Sequence, residues 1–170
     1  KIATNRTYPS WGYMIDNGAT TIWELWNGNT ADPAMNSGNH VMLLGDLLSW
    51  YYESLGGIQT DKSEVGFKKI ILKPIFPAGL NFVKTSHNSP YGMIKSEWKR
   101  VGETLNWQIT IPANTSAIIY LPENFVFQKF NKGKEINNFK ILNISKTDNG
   151  FIRLNIGSGD YDFKIKCGSN

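Results

Sequence analysis

Thr104-Leu105-Asn106-Trp107-Gln108-Ile109-Thr110-Ile111 alternates polar and apolar residues without a break. Leu105, Trp107, Ile109 and Ile111 fall on one face, and the polar residues fall on the other. This is the period-two pattern of a strand with one side buried. The same pattern recurs twice later in the chain. Ile152, Leu154 and Ile156 share a face, as do Tyr161, Phe163 and Ile165. Short segments bounded by Gly, Pro or Asn predict further strands over 67–72, 80–86, 93–101, 116–121 and 125–130. Turn signals every eight to twelve residues predict an antiparallel β-sandwich. Pro74, Pro77, Pro90, Pro112 and Pro122 fall at predicted strand ends, where a missing N–H does least harm. The fold class is therefore mainly β from about residue 65 onward.

The residues before that boundary read differently. Residues 1–64 carry a charge balance of −4 and residues 65–170 one of +8, which together give the net +4 of the 170-residue chain. Four of the six Trp (Trp11, Trp23, Trp26 and Trp50) lie in the first part, and all nine Phe lie in the second. Such a break in composition predicts two modules, 1–64 and 65–170. Residues 7–36 are dense in Gly, Pro, Asn, Thr and Trp, the chemistry of turns. A short helix is predicted around Ser10–Asn17, with Gly18 past its end. A longer one is predicted over Ser37–Leu55, capped by Ser37 and stopped by Gly56-Gly57. Val41, Leu44, Leu48 and Tyr51/Tyr52 recur at helical spacing, and Leu43, Leu47 and Trp50 add a second apolar row. That predicts a helix buried on more than one side. The chain offers it almost no other helix to pack against. Either it lies on the sandwich, or it belongs to a larger helical body, which the absence of an initial Met also suggests.

Several function classes are excluded. No run of 18 apolar residues is present to cross a membrane. No charged segment followed by an apolar one marks a signal peptide. One cysteine, Cys167, allows no internal disulfide, and with only His40 and His87 beside it a structural zinc site is not expected. No phosphate-binding loop, nucleophile elbow or His-Glu-x-x-His helix occurs. The basic residues of the second part alternate with apolar ones, as on a solvated sheet face, and do not cluster with aromatics as nucleic-acid binding requires. No cofactor, nucleic acid or membrane is expected as a partner. Cytoplasmic, periplasmic and extracellular placement are all compatible with this composition.

Two residues could carry chemistry. Glu24 stands in Thr20-Thr21-Ile22-Trp23-Glu24-Leu25-Trp26, a carboxylate between two indoles. Aromatic walls favour a protonated carboxyl, as acid–base catalysis requires, and indole faces stack on sugar rings. The alternative is a surface Glu on a strand whose indoles face a core. His40, in Met35-Asn36-Ser37-Gly38-Asn39-His40, falls in the first turn of the predicted helix. It is either part of a polar binding edge or an imidazole satisfied by a nearby carbonyl. His87 precedes Asn88-Ser89-Pro90 and reads as a loop residue without function.

Three stretches then resemble one family. Tyr8-Pro9-Ser10-Trp11-Gly12-Tyr13-Met14-Ile15, Gly18-Ala19-Thr20-Thr21-Ile22-Trp23-Glu24 and Met35-Asn36-Ser37 with Asn39-His40 resemble, in order and spacing, bacterial α-L-rhamnosidases of glycoside hydrolase family 78. The likeness is to the end of that family's catalytic (α/α)6 barrel. Gly66 to Pro74 and Ser89 to Trp98 resemble the start of its C-terminal β-sandwich. The resemblance implies an inverting glycosidase with two carboxyl groups roughly 6.5–9.5 Å apart. It implies that Glu24 is the general base, that His40 binds rhamnose, and that Trp11 and Trp26 help shape the pocket. The general acid would lie upstream, in a barrel this chain lacks. The expected partner is a rhamnose-containing glycan, and the 170 residues alone are expected to be inactive. The uncovered helix is expected to self-associate through residues 37–58, or residues 1–36 to be partly disordered. Two other readings compete for the sandwich. It could be a carbohydrate-binding module with Trp98 or Trp107 exposed, although the parity of Trp107 argues for the core. It could instead be a structural cap on the barrel.

Overall fold

The computed structural model describes residues 2–132, 135–136 and 144–167. The chain separates into two compact units, one reaching Ser49 and the other beginning at Trp50. The charge balance drew its line after residue 64 because charge marks surfaces. The strand-forming residues 58–60 carry no charge and join the sheet unit.

The first unit opens with α1 (Trp11–Asp16). Ser10 caps it: its Oγ accepts the Tyr13 N–H at 3.0 Å and donates to the Asn5 carbonyl at 2.8 Å. Both bonds matter because Ser10 is fully buried. Gly12 lies so close to Asn5 that a Cβ would sit 2.1 Å from its carbonyl oxygen, so no larger residue fits there. Gly18, at φ +87°, takes the left-handed turn that ends the helix.

The second helix is shorter than its periodicity predicts. α2 runs over Leu43–Trp50, and a π-helical turn, Tyr51–Leu55, closes it with the Gly56 N–H bonded to the Tyr51 carbonyl at 3.0 Å. Ser37 is not its N-cap and His40 is not in its first turn. Residues 37–40 give their backbone groups to the segment at 22–24 instead: His40 N–H to Ile22 O at 2.7 Å and Glu24 N–H to Ser37 O at 2.9 Å. Gly38 and Asn39, weak helix formers, offer no resistance to that. No residue of α2 is buried. Val41, Met42, Leu44, Leu48, Trp50 and Tyr52 are exposed, so the predicted apolar rows exist but the described residues do not cover them.

The second unit is a β-sandwich of two sheets. The five-stranded sheet has the order β1-β2-β6-β10-β9: β1 (Ile58–Thr60), β2 (Lys69–Leu72), β6 (Ser116–Pro122), β10 (Phe151–Ile156) and β9 (Ile144–Lys146). The six-stranded sheet has the order β3-β4-β5-β11-β7-β8: β3 (Phe82–Ser89), β4 (Gly92–Val101), β5 (Thr104–Ile111), β11 (Gly159–Lys166), β7 (Val126–Lys132) and β8 (Glu135–Ile136). All pairs among these strands are antiparallel except β2–β6. The inward residues interdigitate as the alternation predicts. Ile70, Leu72, Ile119 and Leu154 from one sheet meet Leu105, Trp107, Ile109 and Phe163 from the other in a single core.

Trp98 and Trp107 are both in that core, 1% and 0% exposed, so neither is a surface platform for sugar. Their indole N–H groups have a structural use. Trp98 Nε1 donates to the Leu55 carbonyl at 2.9 Å. Trp107 Nε1 donates to Ser96 Oγ at 3.0 Å, and Ser96 Oγ donates to the Gly56 carbonyl at 2.6 Å. The last carbonyls of the helical run, which have no partner within a helix, are thus satisfied from the sheet. At the following residue, Gly57 (φ +73°), a Cβ would lie 2.2 Å from Pro74 N, so this tight turn requires glycine.

His87 belongs to β3, opposite Ile94, with its ring 4.5 Å from that of Phe67. It is not the loop residue its Asn-Ser-Pro flank suggested, because β3 continues to Ser89 and the turn falls at Pro90-Tyr91. The lysines of β3 and β4 stand on the outer face, with Lys84 opposite Glu97 and Lys99 opposite Asn106. Asp61, after β1, accepts hydrogen bonds from the hydroxyl and N–H of Ser63 and pairs with Lys69 at 3.2 Å. The Ser63 hydroxyl is the largest of these influences, and together they lower the Asp61 carboxyl from its ordinary 3.8 to about 2.

Candidate active site

Glu24 and His40 lie 16 residues apart in sequence, and two irregular segments bring them together. The Thr20–Trp26 stretch is a series of bends, and Asn36–His40 runs beside it. Four hydrogen bonds join the two. His40 N–H reaches Ile22 O and Glu24 N–H reaches Ser37 O through the backbone. Ser37 N–H donates to Glu24 Oε2 at 3.1 Å, and Leu25 N–H donates to Asn36 Oδ1 at 3.1 Å. Glu24 is thus held at both its backbone and its carboxylate.

The same oxygen, Oε2, lies 3.9 Å from His40 Nδ1, with the Glu24 side chain 44% and the His40 side chain 29% exposed. Glu24 Oε1 has no hydrogen-bond partner among the described residues. One carboxylate oxygen is therefore fixed by a backbone N–H, and the other is open to solvent or a ligand. An ionised carboxylate held in this way accepts protons from a bound water or donor without having to find its orientation first.

The neighbouring indoles divide. Trp23 turns inward and is buried, and Gly28 packs against its ring, where a Cβ would come within 2.7 Å. Trp26 and Trp11 are half-buried. Neither hydrogen-bonds to Glu24 or His40. Tyr13 and Asn17 of the α1 region tie to Asn29 through its side chain, at 3.4 and 3.1 Å, which fixes the loop that follows Trp26. Sequence reasoning singled out Glu24 and His40, and the fold places them side by side. It missed Asn36 and Ser37 as structural partners. The one available signal was an Asn, whose side-chain oxygen can stand in for a backbone carbonyl.

Among the described residues no group of three or more His, Cys, Asp or Glu side chains assembles that could hold a metal ion. Among the same residues no helix is long and apolar enough to cross a membrane.

A helical, Trp-rich segment carrying this pair and followed by a sandwich now meets its counterparts. Residues 1–55 match the bacterial alpha-L-rhamnosidase 6 hairpin glycosidase domain, and residues 57–133 match the bacterial alpha-L-rhamnosidase C-terminal domain. The class is the junction of a helical glycosidase domain with the β-domain that follows it. The chain belongs to the bacterial α-L-rhamnosidase family. It is 35% identical over 98% of its length to an alpha-L-rhamnosidase of Formosa agariphila, of which it covers 18%. It superposes on the alpha-L-rhamnosidase structure from Dictyoglumus thermophilum with a TM-score of 0.75 and 31% identity, covering 97% of this chain and 18% of that one. The Streptomyces avermitilis alpha-L-rhamnosidase complexed with L-rhamnose gives a TM-score of 0.72 at 25% identity, covering 97% and 16%. The chain thus spans less than a fifth of the length of these relatives.

Proposed function

We propose that this chain carries the general-base end of an inverting α-L-rhamnosidase site that removes terminal α-L-rhamnosyl residues from glycosides or polysaccharides. Glu24 is the base. Its Oε1 takes a proton from water, and the water oxygen attacks the anomeric carbon on the face opposite the leaving group. The leaving oxygen takes its proton from a general acid outside residues 1–170. His40 hydrogen-bonds the rhamnose, and Trp11 and Trp26 wall the pocket. One observation carries this reading. The Glu24 carboxylate is held through Oε2 by Ser37 N–H, 3.9 Å from His40, with Oε1 unshared. The family match and the relative bound to L-rhamnose support the choice of sugar.

In this proposal the sandwich is a structural domain, and the division between barrel end and sandwich falls between residues 49 and 57 rather than after 64. The exposed apolar face of α2 packs on the other helices of the six-hairpin domain where these are present. In the 170-residue chain alone it pairs with a second copy.

Hydrolysis of an aryl α-L-rhamnoside tests the reading. The 170-residue chain is expected to give no turnover above buffer. In a longer protein that contains this stretch and is active, Glu24→Gln should lower kcat by about 10²- to 10⁴-fold. Unchanged kcat in that variant, or turnover by the short chain that Glu24→Gln abolishes, would contradict the proposal.

A further inference from the structure

We propose that Asn36 is a positioning residue for Glu24, acting through the backbone of Leu25. The inference rests on the reading of Glu24 as the base. The two segments that carry the site belong to neither helix nor sheet, so no regular ladder fixes their register. Four bonds replace the ladder, and two of them use side chains. Asn36 Oδ1 takes the Leu25 N–H, in the peptide that follows the Glu24 Cα, while Ser37 O takes the Glu24 N–H, in the peptide that precedes it. The Cα of Glu24 is therefore pinned between consecutive hydrogen bonds from adjacent residues of the partner segment. That geometry holds the carboxylate at Ser37 N–H through Oε2 and leaves Oε1 without a hydrogen-bond partner among the described residues.

Leu25 is 39% exposed, so water can replace Asn36 at its N–H when the side chain is removed. Loss of Asn36 then loosens the aim of Glu24 without unfolding the unit. A carboxylate released in this way loses its fixed distance to the reacting water, and a misplacement of about 1 Å can cost about 10²-fold in rate.

The 170-residue chain itself supplies a readout that needs no catalysis. An amide N–H bonded to a carboxylate shifts downfield as that carboxylate ionises. In an acid titration followed by NMR, the Ser37 amide is expected to make this excursion, and Glu24→Gln should remove it. Asn36→Leu, which lacks the acceptor, should also remove it, and Asn36→Ser, which keeps a side-chain oxygen and adds no titrating group, should restore it in part. The Trp11 N–H, bonded to the Ile2 carbonyl at 3.1 Å in the same unit, reports through its protection from hydrogen exchange whether the unit remains folded. Loss at Ser37 with protection retained at Trp11 is the expected result. A full Ser37 excursion in Asn36→Leu overturns the proposal, and so does loss of both signals, which would make Asn36 a folding residue only. In an active longer protein Asn36→Leu should reduce kcat about 10- to 100-fold at unchanged KM. If Glu24→Gln leaves that protein fully active, the assignment of the base fails, whereas the NMR result still decides the contact.

Discussion

Ser96→Ala should destabilise the sandwich far more than the loss of one hydroxyl suggests. Ser96 is fully buried and stands in the middle of a relay. It accepts from Trp107 Nε1 at 3.0 Å and donates to the Gly56 carbonyl at 2.6 Å. Alanine removes both bonds and strands a buried donor and a buried acceptor. Each unsatisfied group costs about 1–3 kcal/mol, so the loss should be about 2–6 kcal/mol. Domains of this kind hold only about 5–15 kcal/mol in all. Urea unfolding, followed by far-UV circular dichroism and by the fluorescence of the buried indoles, measures the change, and the melting temperature should fall by roughly 4 °C per kcal/mol. Trp107→Phe in the Ser96→Ala background supplies the control. It removes the stranded donor, so the double variant should be destabilised by clearly less than the two single losses combined. A Ser96→Ala loss below about 0.5 kcal/mol, typical of an inconsequential surface change, would refute the relay.

Asp61→Asn should lower stability at neutral pH and have no effect in strong acid. The folded carboxyl titrates at about 2 and the ordinary one at 3.8, so its contribution is fully present above pH 3.8 and is lost as pH falls through about 2. Melting curves of the two proteins should therefore converge at the acid end, and a constant gap down to pH 2 would contradict the assignment. On α2, Leu44→Glu with Leu48→Glu should convert a self-associating chain into a monomer by light scattering, because both side chains are exposed on the uncovered helix. A monomeric parent chain would refute the pairing.

Most of the sandwich was legible because its strands are long enough to show alternation. The predicted bounds of β5 coincide with the observed strand, and Ile152, Leu154 and Ile156, read as one face, all fall in β10. β1 and β9 escaped because three residues cannot display a period. β4 was predicted to within one residue at its start, from the turn residues that bound it and not from alternation. Its inward row, Ile94, Ser96, Trp98 and Arg100, is half polar. Ser96 is there to hold the relay, and Arg100 Nη2 reaches the Phe76 carbonyl at 3.1 Å from the end of the row. The long helix was misjudged at its start because propensity and periodicity are local, whereas Ser37 and His40 bond to Glu24 and Ile22, more than ten positions earlier in the chain. For the same reason the spacing of Glu24 and His40 carried no sign of their contact. That pairing came from the resemblance of three motifs in register.

The aromatic residues bear on one form of the binding reading of the sandwich. A sugar-binding module of the kind weighed from the sequence needs an exposed indole, since a pyranose ring stacks on a flat apolar face. From residue 65 onward the only indoles are Trp98 and Trp107. Both are buried; Trp98 spends its N–H on the Leu55 carbonyl at the end of the preceding helical run, and Trp107 spends its own on Ser96 Oγ, which in turn holds the Gly56 carbonyl. Moving Trp98 outward would leave the Leu55 carbonyl without its partner, moving Trp107 outward would leave Ser96 Oγ without its donor, and either would cost the core one of its largest side chains. The indole-platform form of the binding reading therefore conflicts with what holds this unit together. The structural reading uses the same two residues without contradiction. The remaining indoles near polar groups, Trp11 and Trp26, lie in the unit that carries Glu24 and His40, which is where recognition of a sugar is proposed.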